Sequence, residues 1–174
     1  MAPTSYQAPH KGDADHNQTY SQSTGSAMSS QQSTVGDILS GKGQDVIAVR
    51  PGDSIADVAT LLSGKKIGAV VVRDQTGAMV GILSERDIVN QLAKTPGSTL
   101  SLRAQDLMTT GIQTCAPSEI LTAILKRMTE GRFRHLPVMD DGQLIGLVSI
   151  GDVVKHRLIE LEYEALKMKQ MIVG

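Results

Sequence analysis

The amino-acid sequence predicts an α+β protein, α/β-like in its layering, in which two pseudo-symmetric β-α-β-β-α repeats pack as one globule. Three observations lead there. The stretch Gly81, Ile82, Leu83, Ser84, Glu85, Arg86, Asp87 returns 65 residues later as Gly146, Leu147, Val148, Ser149, Ile150, Gly151, Asp152. The apolar pattern upstream is duplicated too: Pro51, Ile55, Val58 and Leu62 match Pro117, Leu121, Ile124 and Met128 at a spacing of 66. Finally, a chain of 174 residues divided in two leaves halves too small to be comfortably stable alone, and duplicated units bury their apolar faces against each other.

In chain order, residues 1–33 are rich in Ser, Gln, Thr, Ala, Gly and Asp and nearly lack large aliphatics. Such a segment cannot bury enough apolar surface to offset its ordering entropy, which predicts a disordered tail without chemistry. Repeat 1 covers 34–93 and opens with Asp37, Ile38 and Leu39, matched by Asp106, Leu107 and Met108 in the second copy. A strand is expected over 46–49, then a turn from Pro51 to Ser54 ending in a helix N-cap. Ile55, Val58, Ala59 and Leu62 form one helical face, and Gly64 is expected to break that helix. Strands follow over 69–72 and 79–83 around a turn at Asp74 to Gly77, and a second helix starts at Ser84. Residues 94–101, with Pro96 and Gly97, read as a linker. Repeat 2, over 102–157, repeats the order: a strand near 112–115, a helix over 118–130, strands over 136–139 and 144–149, then a helix.

Residues 158–174 extend that last helix. Val154, Leu158, Leu161, Ala165, Met168 and Ile172 alternate steps of four and three, the spacing of a coiled coil, which serves equally for self-association or for packing on the chain's own globule.

Composition excludes several functions. The formal charge is −1 with both signs interspersed, so no basic stretch exists to neutralise a phosphate backbone. One Phe, three Tyr and no Trp leave few platforms for stacked bases, and nucleic acid is not expected as the partner. Cys115 is the single cysteine: no intramolecular disulfide or cysteine metal cluster is available, and a small buried strand residue is expected. No apolar run approaches 18 residues, so no membrane span is expected. The first residues show no secretory pattern, and with no Arg but with Asp13 and Asp15 they do not read as a mitochondrial leader, which makes the cytoplasm the default.

The duplicated Gly-hydrophobic-hydrophobic-Ser-x-x-Asp element has two readings. One is structural, a Ser N-cap with an acid at N3. The other is a binding site, because a helix N-terminus favours anions, an Asp accepts hydrogen bonds from ribose hydroxyls and a Ser donates to phosphate. Capping alone does not require the duplication of the whole block.

With that motif, the β-α-β-β-α unit and the Pro-x-x-x-hydrophobic helix start, the chain resembles paired cystathionine β-synthase (CBS) domains, the Bateman module, over about residues 34–157. It is most similar to small stand-alone bacterial and plant-organelle members, through Arg132 to Val138 and Ser149 to Val154. The resemblance implies two CBS repeats joined through their strands, with two clefts for AMP, ADP, ATP, NAD-type nucleotides or S-adenosylmethionine. It assigns Asp152 to the ribose and Ser149 to the phosphate, with Arg134 and His135 as phosphate-binding cations beside Pro137. Backbone groups from Thr114 to Ala116 would meet the adenine. The matching set in repeat 1 is Ser84, Arg86 and Asp87, but Gly68 and Ala69 stand where repeat 2 has Arg134 and His135, and Val71 replaces Pro137. Two unequal clefts are expected.

Residue by residue, plainer roles stay open. Arg132 and Arg134 also suit solvated surface charges, His135 an ordinary surface histidine, and Lys65 and Lys66 a helix C-terminus. The function implied is a sensor for adenine nucleotides that acts in trans on an unidentified protein and forms homodimers, the nucleotide being a regulatory ligand and no catalytic cofactor being called for. A structural homodimer with vestigial clefts is the alternative. Catalysis is not expected: there is no nucleophile elbow, Walker loop or metal-ligand cluster, and no base lies between the Ser and Asp of either motif.

Overall fold

The structure, a computed structural model, describes residues 32–173. The disordered tail expected over 1–33 therefore lies outside the described residues apart from Gln32 and Ser33. Ser33 already belongs to the fold: its N–H donates to Glu160 Oε1 (2.8 Å) and its carbonyl accepts from Leu121 N–H (3.0 Å).

Each repeat opens with a helix that the strand-first pattern did not predict. Helix α1 spans Val35–Lys42 and α4 spans Ala104–Leu107. Asp37 accepts the Thr34 N–H (2.7 Å) and Asp106 the Arg103 N–H (2.8 Å), so the same acid caps both starts. The rest of repeat 1 is β1 (Ala48–Val49), α2 (Ile55–Lys65), β2 (Ala69–Arg73), β3 (Met79–Ser84) and α3 (Glu85–Lys94). Ser54 caps α2 by accepting from Asp57 N–H. Gly64 does not end that helix, which closes on Lys66 in the left-handed region at φ 55°. A glycine inside a helix costs only about 1 kcal/mol against Ala, and the buried face of Ile55, Val58 and Leu62 outweighs it. Within the expected linker, Thr99–Ser101 forms a turn of 3₁₀ helix with Thr99 buried.

Repeat 2 continues with α5 (Leu121–Gly131), β4 (His135–Asp140), β5 (Gln143–Ser149) and the 24-residue α6 (Ile150–Val173). Helix α5 starts after Ile120 rather than at Ser118 and ends on Arg132 at φ 56°, the counterpart of Lys66. The strand expected near 112–115 is reduced to one parallel bridge between Cys115 and Val138. It stands where β1 runs parallel to β2 in the first repeat, with Val49 opposite Val72. The hairpins β2–β3 and β4–β5 are antiparallel, and both slip register at equivalent points, between Val72 and Arg73 and between Val138 and Met139. Cys115 is buried, and that burial, with Glu119 adding and Arg127 opposing, pushes its thiol up to about 11.

Two cores result, and the opening helices are exchanged between them. Val35, Ile38 and Leu39 of α1 pack with Leu121, Ile124, Met128, Leu136, Val138, Val148 and Val153 of repeat 2. Ala104 of α4, with Leu107 and Met108, packs with Ile55, Val58, Val70, Val72 and Leu83 of repeat 1. The glycine of the duplicated motif makes this exchange possible. A Cβ on Gly146 would lie 2.6 Å from Leu39 Cδ2, and one on Gly81 would lie 2.8 Å from Met108 Cγ. Only a bare backbone lets the crossing side chain sit so close to the strand. No helix among the described residues is long and apolar enough to cross a membrane.

Candidate functional site

Strand β3 hands over to α3 at Ser84, and β5 to α6 at Ser149. In both turns the acid three residues on closes a cap: Asp87 Oδ2 accepts from Ser84 N–H (2.8 Å) and Oγ–H (2.6 Å), and Asp152 Oδ2 accepts from Ser149 N–H and Oγ–H (2.8 Å each). The structural reading of the motif therefore holds. It leaves room for the other, since the cap uses one carboxylate oxygen and fixes the second in place at a helix N-terminus.

A cleft of about 370 Å³ opens beside the first of these caps. One wall carries Ile82, Ser84, Glu85, Arg86 and Asp87 of repeat 1, and the other carries Gly131 to His135 of repeat 2. The floor is the segment leading into repeat 2, with Thr109, Gly111, Ile112 and Gln113. This segment is held along β3, where Thr109 N–H donates to the Ile82 carbonyl (2.9 Å) and the Thr109 carbonyl accepts from Ile82 N–H (3.0 Å). Arg86 Nη1 donates to the Arg132 carbonyl (3.1 Å), which ties the two walls together. Among the described residues the ion pairs use Lys42, Lys126, Arg127 and Arg157, so Arg86, Arg132 and Arg134 bring guanidinium charge to the cleft without a carboxylate partner at bonding distance.

Ser84, Arg86, Asp87, Arg134 and His135 are thus brought together in one cleft, whereas the sequence reading grouped Arg134 and His135 with Ser149 and Asp152. The start of β4 lies between the two motifs: Ile150 N–H donates to the Arg134 carbonyl (2.8 Å) and His135 pairs with Ser149, while Arg134 and His135 both line the cleft of the other repeat's motif. His135 meets residues of both repeats. It is the register partner of Ser149, yet a Cβ on Gly68 would lie 3.1 Å from its Cε1. Burial, then the Lys42 charge, with Arg134 adding and Asp152 opposing, holds the His135 pKa below its ordinary value.

The remaining expected residues do not line this cleft. Ser149 and Asp152 form the counterpart cap, where Lys42 Nζ donates to Asp152 Oδ2 at 2.7 Å. Thr114 and Ala116 do not line this cleft, where Gly111 to Gln113 lie instead, and the Ala116 N–H donates to Glu119 Oε1 (2.8 Å). Pro137 is buried in β4, its carbonyl accepting from Cys115 N–H (3.0 Å), which is a structural place. Sequence reasoning missed Thr109, Gln113, Glu85 and Phe133. Their signal would have been the exchange of α1 and α4, since a cleft drawn from both repeats cannot be assembled by comparing the copies one against one.

Chemically, a fixed carboxylate beside a helix N-terminus suits a vicinal diol, and the arginine wall suits phosphate. Ile82, Ile112 and Phe133 supply apolar surface for a flat heterocycle.

Comparison with known proteins bears on this arrangement. The model of the CBS domain family matches residues 35–94 and again 104–159. The mitochondrial CBS domain-containing protein CBSX3 of Arabidopsis thaliana is 29% identical over 152 residues, 83% of this chain and 74% of that protein. A crystal structure of a CBS-domain containing protein from Agrobacterium tumefaciens superposes with a TM-score of 0.71 at 42% identity, covering 72% of this chain and 94% of the other. The crystal structure of CBSX2 in complex with AMP superposes with a TM-score of 0.59 at 35% identity, over 72% of this chain and 96% of that one.

Proposed function

This chain belongs to the CBS-domain family, and we propose that it is a regulatory module that binds an adenosine nucleotide in the cleft between its repeats and passes that occupancy to another protein. The observation that carries the reading is the pairing across the repeats: Ser84, Arg86 and Asp87 on one wall, Arg132 and Arg134 on the other. In this reading Asp87 accepts the ribose hydroxyls and Arg134 with Arg86 takes the phosphate. Ile82, Ile112 and Gln113 meet the base. AMP held by the 35% identical CBSX2 supports the ligand class, and AMP is the first probe to use. Output through a partner protein, a homodimeric assembly and a cytoplasmic home belong to the same proposal. The long α6, with Leu158, Leu161, Met168 and Ile172 exposed, supports the dimer.

Calorimetric titration with AMP and with adenosine tests the reading. Asp87→Ala should weaken both ligands by roughly tenfold to a hundredfold, the worth of one charge-assisted hydrogen bond. Arg134→Ala should weaken AMP and leave adenosine nearly unchanged. Equal losses for both ligands in Arg134→Ala would reassign that arginine to packing. A wild-type chain whose melting point does not move with millimolar AMP, ADP, ATP, NAD or S-adenosylmethionine would instead favour the structural homodimer with vestigial clefts.

A further inference from the structure

Asp87 and Asp152 are equivalent in sequence and cap their helices alike, yet their second neighbours differ. Around Asp87 the chain leaves α4 early, turns extended, and satisfies Ile82 through Thr109 as it runs along the cleft to Gln113. Around Asp152 the matching segment does something else. Helix α1 continues to Lys42, which lies as far past Leu39 as Gly111 lies past Met108. The Lys42 ammonium donates to the Leu147 carbonyl (3.1 Å) and to Asp152 Oδ2 (2.7 Å). Leu147 is the counterpart of Ile82. A lysine side chain thus stands where a stretch of main chain lines the other cleft. The facing wall differs too, because Gly68 and Ala69 replace Arg134 and His135.

We propose that Lys42 is a built-in occupant of a second nucleoside cleft, holding the Asp152 carboxylate that a ribose diol would otherwise engage, so that the module presents one open site. The closed cleft takes the same ligand class as the open one, a nucleoside with a vicinal diol, and this inference rests on the nucleotide reading above. A diol entering at Asp152 meets a carboxylate already paired with a full cation on its cap oxygen, Oδ2, and an ammonium seated at the Leu147 carbonyl, so its hydroxyls compete with an ion pair that, among the described residues, the other cleft lacks. On the facing wall Lys66 stands in the place of Arg132, but Gly68 stands in the place of Arg134, so the cation assigned to the phosphate has no counterpart there. The Lys42 side chain is 44% exposed, so it swings out or is substituted without disturbing a core.

Titration of the full chain with AMP tests this. The wild type should bind one AMP per chain and Lys42→Met two. Asp87→Ala should weaken that single site by roughly tenfold to a hundredfold, and Lys42→Met combined with Asp87→Ala should regain one site of undiminished affinity. Two sites in the wild type, or a single site in Lys42→Met, overturns the proposal. Failure of the nucleotide reading has a different signature, no binding by the wild type, and a ligand-free measurement still decides the role of Lys42. The Asp152 carboxyl titration, followed by NMR, should shift upward in Lys42→Met, and an unchanged titration overturns the clasp whatever AMP does.

Discussion

His135 is the residue on which both clefts bear, and its environment gives a pH dependence with a definite sign. Burial and the Lys42 and Arg134 charges depress its pKa below 6.5 in the folded protein, against the pull of Asp152. The unfolded chain therefore binds the proton more readily. The stability from a neutral His135 is fully present above about pH 6.5 and is lost as pH falls through the depressed folded value. Urea unfolding between pH 7.5 and 5.5 should show that decline, and His135→Gln should flatten it; an unaltered slope would detach the effect from His135. Asp152 acts in a separate window. Burial works to raise its pKa, but Lys42 and the Ser149 N–H and hydroxyl outweigh it, so its contribution fades only on acidification below about 3.8. Gly146 makes a second residue-scale case. Gly146→Ala would drive a Cβ to 2.6 Å from Leu39 Cδ2 in a filled core, and a loss of about 1–3 kcal/mol in chemical denaturation is expected. The motif's Ser and Asp were legible in the sequence as cap and candidate ligand at once. Its glycine was legible only as a repeated letter, because its reason is a side chain 107 residues away in the chain.

Among the elements, those legible from periodicity are the ones whose apolar face is completed within their own repeat. Ile55, Val58 and Leu62 announced α2, and Leu121, Ile124 and Met128 announced α5, since each face meets the adjacent hairpin. Helices α1 and α4 were not announced. Val35, Ile38 and Leu39 have helical spacing, but over a single turn or two that pattern carries little weight, and its meaning comes from the other repeat's core. Helix α6 was legible to its end and raises the remaining question of this scale. Beyond Glu160 it leaves Leu161, Tyr163, Leu166, Met168, Met171 and Ile172 exposed. Taking Leu158, Leu161, Ala165, Met168 and Ile172 as the seam, a parallel second copy sets Glu164 of one chain opposite Lys169 of the other, the pairing that favours this orientation. Truncation after Leu158 should therefore weaken the proposed homodimer in sedimentation while the melting point stays near that of the full chain at matched monomer concentration. A dimer unchanged by the truncation would move the interface to the globular faces.

Over the whole described fold, exchange of α1 and α4 means that neither repeat owns a complete core. The first core closes only with Ala104, Leu107 and Met108, and the second only with Val35, Ile38 and Leu39. The duplication was plain in the sequence, but two equal halves read one after the other suggest neighbours, not partners that each complete the other. Interlocked cores should unfold together, in one cooperative transition. They should also respond to mutation in the wrong half by chain order. Leu39→Ala removes a 4% exposed side chain from α1 and should cost about 2–5 kcal/mol. Because that side chain packs on Gly146, the local openings it promotes should appear first at the amides of β4 and β5, while β2 and β3 keep their protection. Met108→Ala should reverse the pattern, exposing β2 and β3. Native-state hydrogen exchange on the two variants decides it: faster exchange in β2 and β3 for Leu39→Ala would mean that each repeat folds on its own opening helix.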